Sequence, residues 1–346
     1  MFKNLKVVEL ASVLAGPLTG TFFAELGATV IKIENKLTDG DVTRRWKLPT
    51  ESKEKPISAY YSAANYSKES LSLNLKDSED YEILVEHIKD ADIVISNYKP
   101  NTARKLKLGY IDLKQYNPSL IYAELTGFGG NDSRPAFDVV LQAETGFMFM
   151  NGEPQRNPVK MPVALIDVLA AHHMKEAILC ALIHRLKTGE GQHISMSLYE
   201  CALASLANQA TNWLMEGHIP QPMGTQHPNI APYGDMYTTK DGRSLVLAIG
   251  SDKQFDNLCS LLNIECEEFR TNAQRLSKRE MLNSKISDYI GKEVSGYWIS
   301  ELEQRNIPYG IVKNMKDVFE DEKAKKMLLY DIIEGVDTVR VKTALI

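Results

Sequence analysis

The chain has 346 residues, of which 44% are hydrophobic and 25% charged. That is ordinary globular composition, and it excludes a disordered, collagenous or coiled-coil protein. Forty Lys and Arg stand against 45 Asp and Glu, a net charge of −5. A general nucleic-acid or anionic-membrane surface is therefore not expected. The length suggests one large domain or two modest ones. The four cysteines, Cys180, Cys201, Cys259 and Cys266, form no CxxC and make no disulfide scaffold or zinc knuckle, so a reducing cytoplasmic setting is expected. There is no long apolar leader and no run of about 18 apolar residues to span a membrane.

In chain order, 6–10 (KVVEL) reads as a buried strand, 15–26 as a helix closed by Gly27, and 29–34 (TVIKIE) as the next strand. Residues 70–75 alternate with period two, and 79–89 are helical with Leu84, Val85 and Ile88 on one face. Strands follow at 92–96 (DIVIS) and 120–125 (LIYAEL). Strands separated by helix-length segments argue for a parallel sheet with helical crossovers. A long apolar-rich helix is expected over 163–186, a strand over 192–197 and a second helix over 198–215. The Pro- and Gly-rich stretch 217–234 marks a boundary. Beyond it, 244–249 and 309–312 read as strands and 317–326 as a charged helix. The expected domains are 1–220, 221–315 and a return to the first over 316–346.

Several chemistries are tested by these residues. Glu34 ends the second strand, where a ribose-binding acid would sit, but Gly16, Gly20 and Gly27 do not make G-x-G-x-x-G. Phosphates would lack close backbone approach, so NAD is not expected. No G-x-S-x-G, P-loop or H-E-x-x-H motif is present, and the adjacent His172 and His173 diverge on a helix, so no metal is expected. His227 lies in the Pro/Gly-rich connection, where it either makes a surface hydrogen bond or lines a site. Asp167 sits in PVALIDVLAA, flanked by apolar residues near a helix start. It is either a capping carboxylate or a carboxylate nucleophile, kept ionised by the helix N-terminus.

Taken together, the segments resemble the class III CoA-transferases, the formyl-CoA and carnitine CoA-transferase type. The matching pieces are VVELASVLAGPLTGTFFAELGATVIKIE, GDVTR, NYSKESLSLNLK, ADIVISNYKPNTARKLKLGY, NPSLIYAELTGFG, RPAFDVVLQAETG, ALIDVLAA and HRLKTGEGQHISMSLYE. The likeness runs on through GTQHPNIAPY, which is similar to the succinyl-CoA-dependent branch, to NIPYGIVKNMKDVFED.

The resemblance implies an α/β fold, with a Rossmann-like parallel sheet in the large domain, a smaller α+β domain, and two chains interlocked as a homodimer. It implies an enzyme moving coenzyme A from an acyl-CoA to a small organic acid, with dicarboxylic acids among the candidates. Asp167 matches the nucleophile, which passes through an aspartyl anhydride and an aspartyl-CoA thioester. CoA is expected along Leu14 and Ala15, Leu73, Asn74, Leu75 and Lys76, Asn97, Tyr98 and Lys99, and Lys105. Lys76, Lys99, Arg104 and Lys105 together read as a cationic cluster for phosphates. Ala136, Phe137 and Asp138 are expected in the substrate pocket with His227.

Departures from the family pattern carry information. The racemases of this fold place a His where Phe137 stands, so proton exchange would lack one base. Leu14 replaces a Gln, which argues against oxalate, and Asn35 replaces an Arg expected to contact phosphate. Only Ile249-Gly250-Ser251 stands where formyl-CoA transferases carry a glycine run. A racemase or a non-catalytic CoA-ester-binding paralogue are the alternatives.

Overall fold

The structure is a computed structural model that describes residues 1–130, 132 and 134–346. It divides into two compact units: Met1–Met148 with Lys160–Ile219 and Lys326–Ile346, and Phe149–Val159 with Pro220–Lys325. Two borders differ from the expected ones. The stretch Phe149–Val159 groups with the second unit, and the chain returns to the first at Lys326 rather than at 316.

The first unit is built on six parallel strands: β1 (Lys6–Leu10), β2 (Thr29–Asn35), β3 (Glu69–Leu73), β4 (Ile93–Ser96), β5 (Ile121–Thr126) and β6 (Gln192–Ser197). Their order is β3-β2-β1-β4-β5-β6. Successive side chains leave a strand on opposite faces, so each central strand feeds two cores. Val7, Ile93, Ile95, Ile121 and Ala123 pack under the helices Ala15–Glu25 and Leu165–Thr188. Val8, Leu10, Ile31, Val94 and Tyr122 meet Leu84 and Ile88 of the helix Ser78–Lys89 on the other face. Both faces are covered, which is why these strands read as continuous apolar runs. The expected helix over 198–215 is two helices, Leu198–Ala204 and Ala207–Glu216. Ser205 turns its hydroxyl back onto the Cys201 carbonyl at 2.8 Å, and Ala207 takes φ +48°.

In the second unit β7 (Tyr233–Thr238), β8 (Ser244–Ala248) and β9 (Tyr309–Ile311) form an antiparallel sheet in that order. Leu245, Leu247, Phe255, Leu258, Leu282, Ile286 and Trp298 close its core. Cys259 and Cys266 are joined as a disulfide, a pairing that the cysteine spacing did not suggest. The helix expected over 317–326 is two short turns, Met315–Phe319 and Glu322–Lys325.

The returning segment forms a hairpin that sequence patterning did not anticipate, β10 (Leu328–Ile333) with β11 (Val336–Val341). Its turn, Glu334-Gly335, has positive φ at both residues, the backbone that matches strand twist. Arg340 pairs with Glu25, and Asp331 accepts the Ser67 amide at 2.7 Å, so the hairpin is fastened within the first unit.

Candidate active site

The strand order reverses between β1 and β4, and the loops leaving their carboxyl ends diverge there. Open parallel sheets place ligands at such a point. A cavity of about 390 Å³ opens at it, lined by the loop Ser12–Ala15 after β1, by Asn97–Thr102 and Arg104 after β4, and by Thr126 and Gly127 after β5. Asp167 and Leu198 complete the wall, with Ala136, Phe137 and Arg134. Ser12 and Asn97 tie the first two loops: Ser12 N–H donates to Asn97 Oδ1 at 3.1 Å, and Asn97 Nδ2 donates to the Ser12 carbonyl at 2.8 Å.

The β1 loop is drawn taut from below. Val13 adopts φ +72°, which for a β-branched residue is strained backbone. Its amide is held by both oxygens of Asp41, at 3.1 and 3.3 Å. Asp41 belongs to a buried charge ladder. Lys32 reaches Asp41 Oδ2 at 3.1 Å, Glu9 Oε1 at 3.0 Å and the Ala11 carbonyl at 2.7 Å. Lys68 meets the other Glu9 oxygen at 2.7 Å. Gly20 has a structural reason here, since a Cβ at that position would overlap Glu9 Oε2. Of the glycines that failed the dinucleotide spacing, Gly20 serves close packing over a buried carboxylate and Gly16 close packing on Ala11.

Glu34 is likewise consumed. It accepts from Arg44 Nε at 2.8 Å, Tyr61 at 2.7 Å, Ser70 at 2.6 Å and the Asp41 amide at 2.6 Å. Burial alone would raise its carboxyl, but the hydrogen bonds from Arg44, Ser70 and Asp41 override it and hold the pKa at about 2. No oxygen is left over for a ribose.

Asp167 is the third residue of the helix Leu165–Thr188 and only 7% exposed. Its carboxylate makes no hydrogen bond or ion pair among the described residues. The capping reading of Asp167 is thereby answered: Asp138, from another helix, accepts the Ile166 amide at 2.8 Å. The helix terminus was expected to keep Asp167 ionised. Instead burial, and after it the charge of Asp138, raise its pKa to about 7. Desolvation of a carboxylate outweighs partial charges that it does not touch. Tyr60, missed by the sequence reading, feels the same carboxylates; burial first, then Asp167 and Asp138, push its phenol up to about 12.

Of the residues expected to hold CoA, Leu14, Ala15, Asn97, Tyr98 and Lys99 line this cavity. Leu73 is buried in the core beside Ile33, with Leu75 packed against it. Asn74 donates its backbone amide to Asp80 and accepts the Lys76 amide on Oδ1. None of these, nor Lys76 or Lys105, lines the cavity, so the proposed cationic cluster separates into Lys99 and Arg104 at the wall and two lysines away from it. Ala136 and Phe137 line the wall; Asp138 does not, lying behind it at 8% exposure. A Cβ on Gly127 would overlap that of Ala136, so glycine sets how closely the β5 loop approaches this segment. His227 lies in the second unit, where Nδ1 accepts the Asn229 amide at 3.1 Å and its ring meets Tyr233 edge-on. No group of His, Cys, Asp and Glu suited to a metal occurs among the described residues.

The residues fit a phosphate-bearing thioester: Lys99, Arg104 and loop backbone line the cavity together with an unpartnered buried carboxylate. Similarity to known proteins agrees with this. The chain is 37% identical over 344 residues to a succinate–glutarate CoA-transferase of Agrobacterium fabrum, covering 96% of this chain and 85% of that one. It is 33% identical to the human succinyl-CoA:glutarate CoA-transferase, covering 92% and 73%. A CaiB/BaiF family protein from Brucella suis has the same fold with TM-score 0.86 at 37% identity, covering 99% of this chain and 91% of that one. A family model described as CoA-transferase family III matches residues 2–344, and the chain belongs to that family.

Proposed function

We propose that this CoA-transferase exchanges CoA between small dicarboxylic acids through covalent intermediates on Asp167. The observation that carries the reading is the buried Asp167 carboxylate, unpaired and at the wall of a cavity. The names of the relatives from Agrobacterium and human, both acting with glutarate, support the substrate class.

In the first half-reaction the Asp167 carboxylate attacks the donor thioester carbonyl, forming a mixed anhydride and expelling CoA thiolate. The thiolate then attacks the aspartyl carbonyl, and the donor acid leaves with the bridging oxygen. The acceptor carboxylate attacks this aspartyl thioester, regenerating an anhydride and free thiolate. Attack of the thiolate on the acceptor acyl carbonyl releases the new acyl-CoA and restores Asp167. A carboxylate without hydrogen bonds, raised in basicity and fixed near its target, suits such a nucleophile. Lys99 and Arg104 would neutralise CoA phosphates. Phe137, in the place of the racemase His, argues against proton exchange at the acyl α-carbon.

The homodimer implied by the family is part of the same proposal. Trp213, Leu214 and Met215 on one helix and Tyr330, Ile332 and Val339 on one face of the hairpin are exposed, Leu214 by 77%. Apolar surface of this kind commonly marks an interface. Among the described residues, no helix is long and apolar enough to cross a membrane.

The mechanism is tested by oxygen transfer. With ¹⁸O-labelled acceptor acid, the bridging oxygen of the second anhydride remains on Asp167, so the peptide containing it must gain label. Transfer without label in Asp167 would sink the covalent reading. Asp167→Ala should lose several orders of magnitude in kcat, as loss of a nucleophile does.

A further inference from the structure

We infer that Asp138 is a positioning residue, which holds the start of the long helix and keeps the leading helical amide away from Asp167. The inference rests on the reading of Asp167 as the attacking group. The geometry is a continuous clamp. Asp138 Oδ1 accepts the Ile166 amide at 2.8 Å, and Oδ2 accepts Gln142 Nε2 at 2.7 Å. Gln142, 1% exposed, takes the Met161 amide on its own oxygen at 2.8 Å. Thus the helix Asp138–Glu144 grips the chain on both sides of residues 162–165, immediately before Asp167.

The consequence is chemical. The first amides of a helix are unsatisfied and seek an anion. Asp167 sits within that first turn and would be the nearest carboxylate to take them. Asp138 takes the Ile166 amide first and places a second negative charge beside Asp167. Both effects favour a reactive carboxylate over a capped one. The other ionisable groups around the cavity are Tyr98, Lys99, Arg104, Asp132 and Arg134, and Tyr60 shares the field of both aspartates. Asp138 itself does not line the cavity, so it acts through Asp167 rather than on substrate.

The test compares wild type, Asp138→Asn and Gln142→Leu in full-length protein. The amide introduced by Asp138→Asn can accept from Ile166 or from Gln142 but not both, and it carries no charge. The acidic limb of the kcat/KM profile should move down by about one pH unit in this variant, and its kcat should fall roughly tenfold with KM for acyl-CoA unchanged. Gln142→Leu keeps the charge but frees one end of the clamp, so kcat should fall while the limb stays in place. A folded Asp138→Asn with an unmoved limb and wild-type kcat overturns the inference. If that variant does not fold, wild-type kcat in Gln142→Leu overturns it. Failure of the wild type itself to carry ¹⁸O into Asp167 would instead remove the reading of function on which the inference stands.

Discussion

Ser12 and Asn97 exchange two hydrogen bonds across the reversal of strand order, joining the loops after β1 and β4 where the cavity opens. The first loop is also anchored through the Val13 amide to Asp41, and the Asn97 amide donates to the Leu10 carbonyl at the end of β1. Asn97→Ala removes both bonds without touching Asp167. Net hydrogen-bond contributions of about 1 kcal/mol each predict a KM for acyl-CoA raised roughly five- to thirtyfold, with a smaller effect on single-turnover acylation. Steady-state and quenched single-turnover kinetics check this; equal losses in both would place Asn97 in the chemistry instead.

The separation of the basic residues gives a second prediction. Lys99 and Arg104 line the cavity, whereas Lys76 and Lys105 do not. If they meet the CoA phosphates as proposed, Lys99→Ala and Arg104→Ala should each raise KM for acyl-CoA about tenfold, with weaker dependence on ionic strength. Lys76→Ala and Lys105→Ala should change KM less than about twofold. Kinetics at low and high salt distinguish the two pairs.

How far the sequence was legible follows from what each signal measures. β1, β2, β4, β5 and β6 were readable because strands buried on both faces, or closed by turn residues, stand out locally. The β10–β11 hairpin was not, since one face is apolar but exposed and the charged residues around it read as helix. The break before Ala207 has no Gly or Pro to mark it. At the site, sequence left Asp167 open between cap and nucleophile, and the bond that caps the helix in its place comes from Asp138, 28 residues before Ile166. Resemblance marked the CoA segments as whole stretches. Which side chains of each stretch reach the cavity depends on strand register and loop direction, which spacing does not encode.

Glu34 tests the frame beneath the site. Its pKa lies well below the unfolded value, so its stabilisation is present above about pH 4.5 and is lost as pH falls towards 2. Glu34→Gln leaves Arg44, which also meets Glu334 at 2.9 Å, with a weakened buried partner. At pH 7 the variant should lose about 2–4 kcal/mol, somewhat below the roughly 3–5 for breaking a buried pair because Glu334 remains, and the loss should shrink in acid. Denaturant unfolding at pH 7 and pH 3 measures both arms; an equal loss at the two would mean that packing, not charge, is at stake.

Asp167 carries the opposite sign. Its folded pKa of about 7 lies above the ordinary aspartate value of 3.8, so the folded state binds the proton more tightly. Folding is therefore favoured below about pH 4 relative to higher pH. Stability declines as pH rises between the two values, and the cost is fully present above pH 7. The ceiling for a shift of this size is roughly 4 kcal/mol, at about 1.4 kcal/mol per unit. Asp167→Asn is nearly isosteric and cannot ionise, so it escapes the cost and also the repulsion from Asp138. The variant should melt several degrees above wild type at pH 8 and coincide with it near pH 4. Thermal unfolding across that range decides the matter. A variant no more stable than wild type at pH 8 would mean that the folded protein stabilises the Asp167 carboxylate, and that its reactivity has another source.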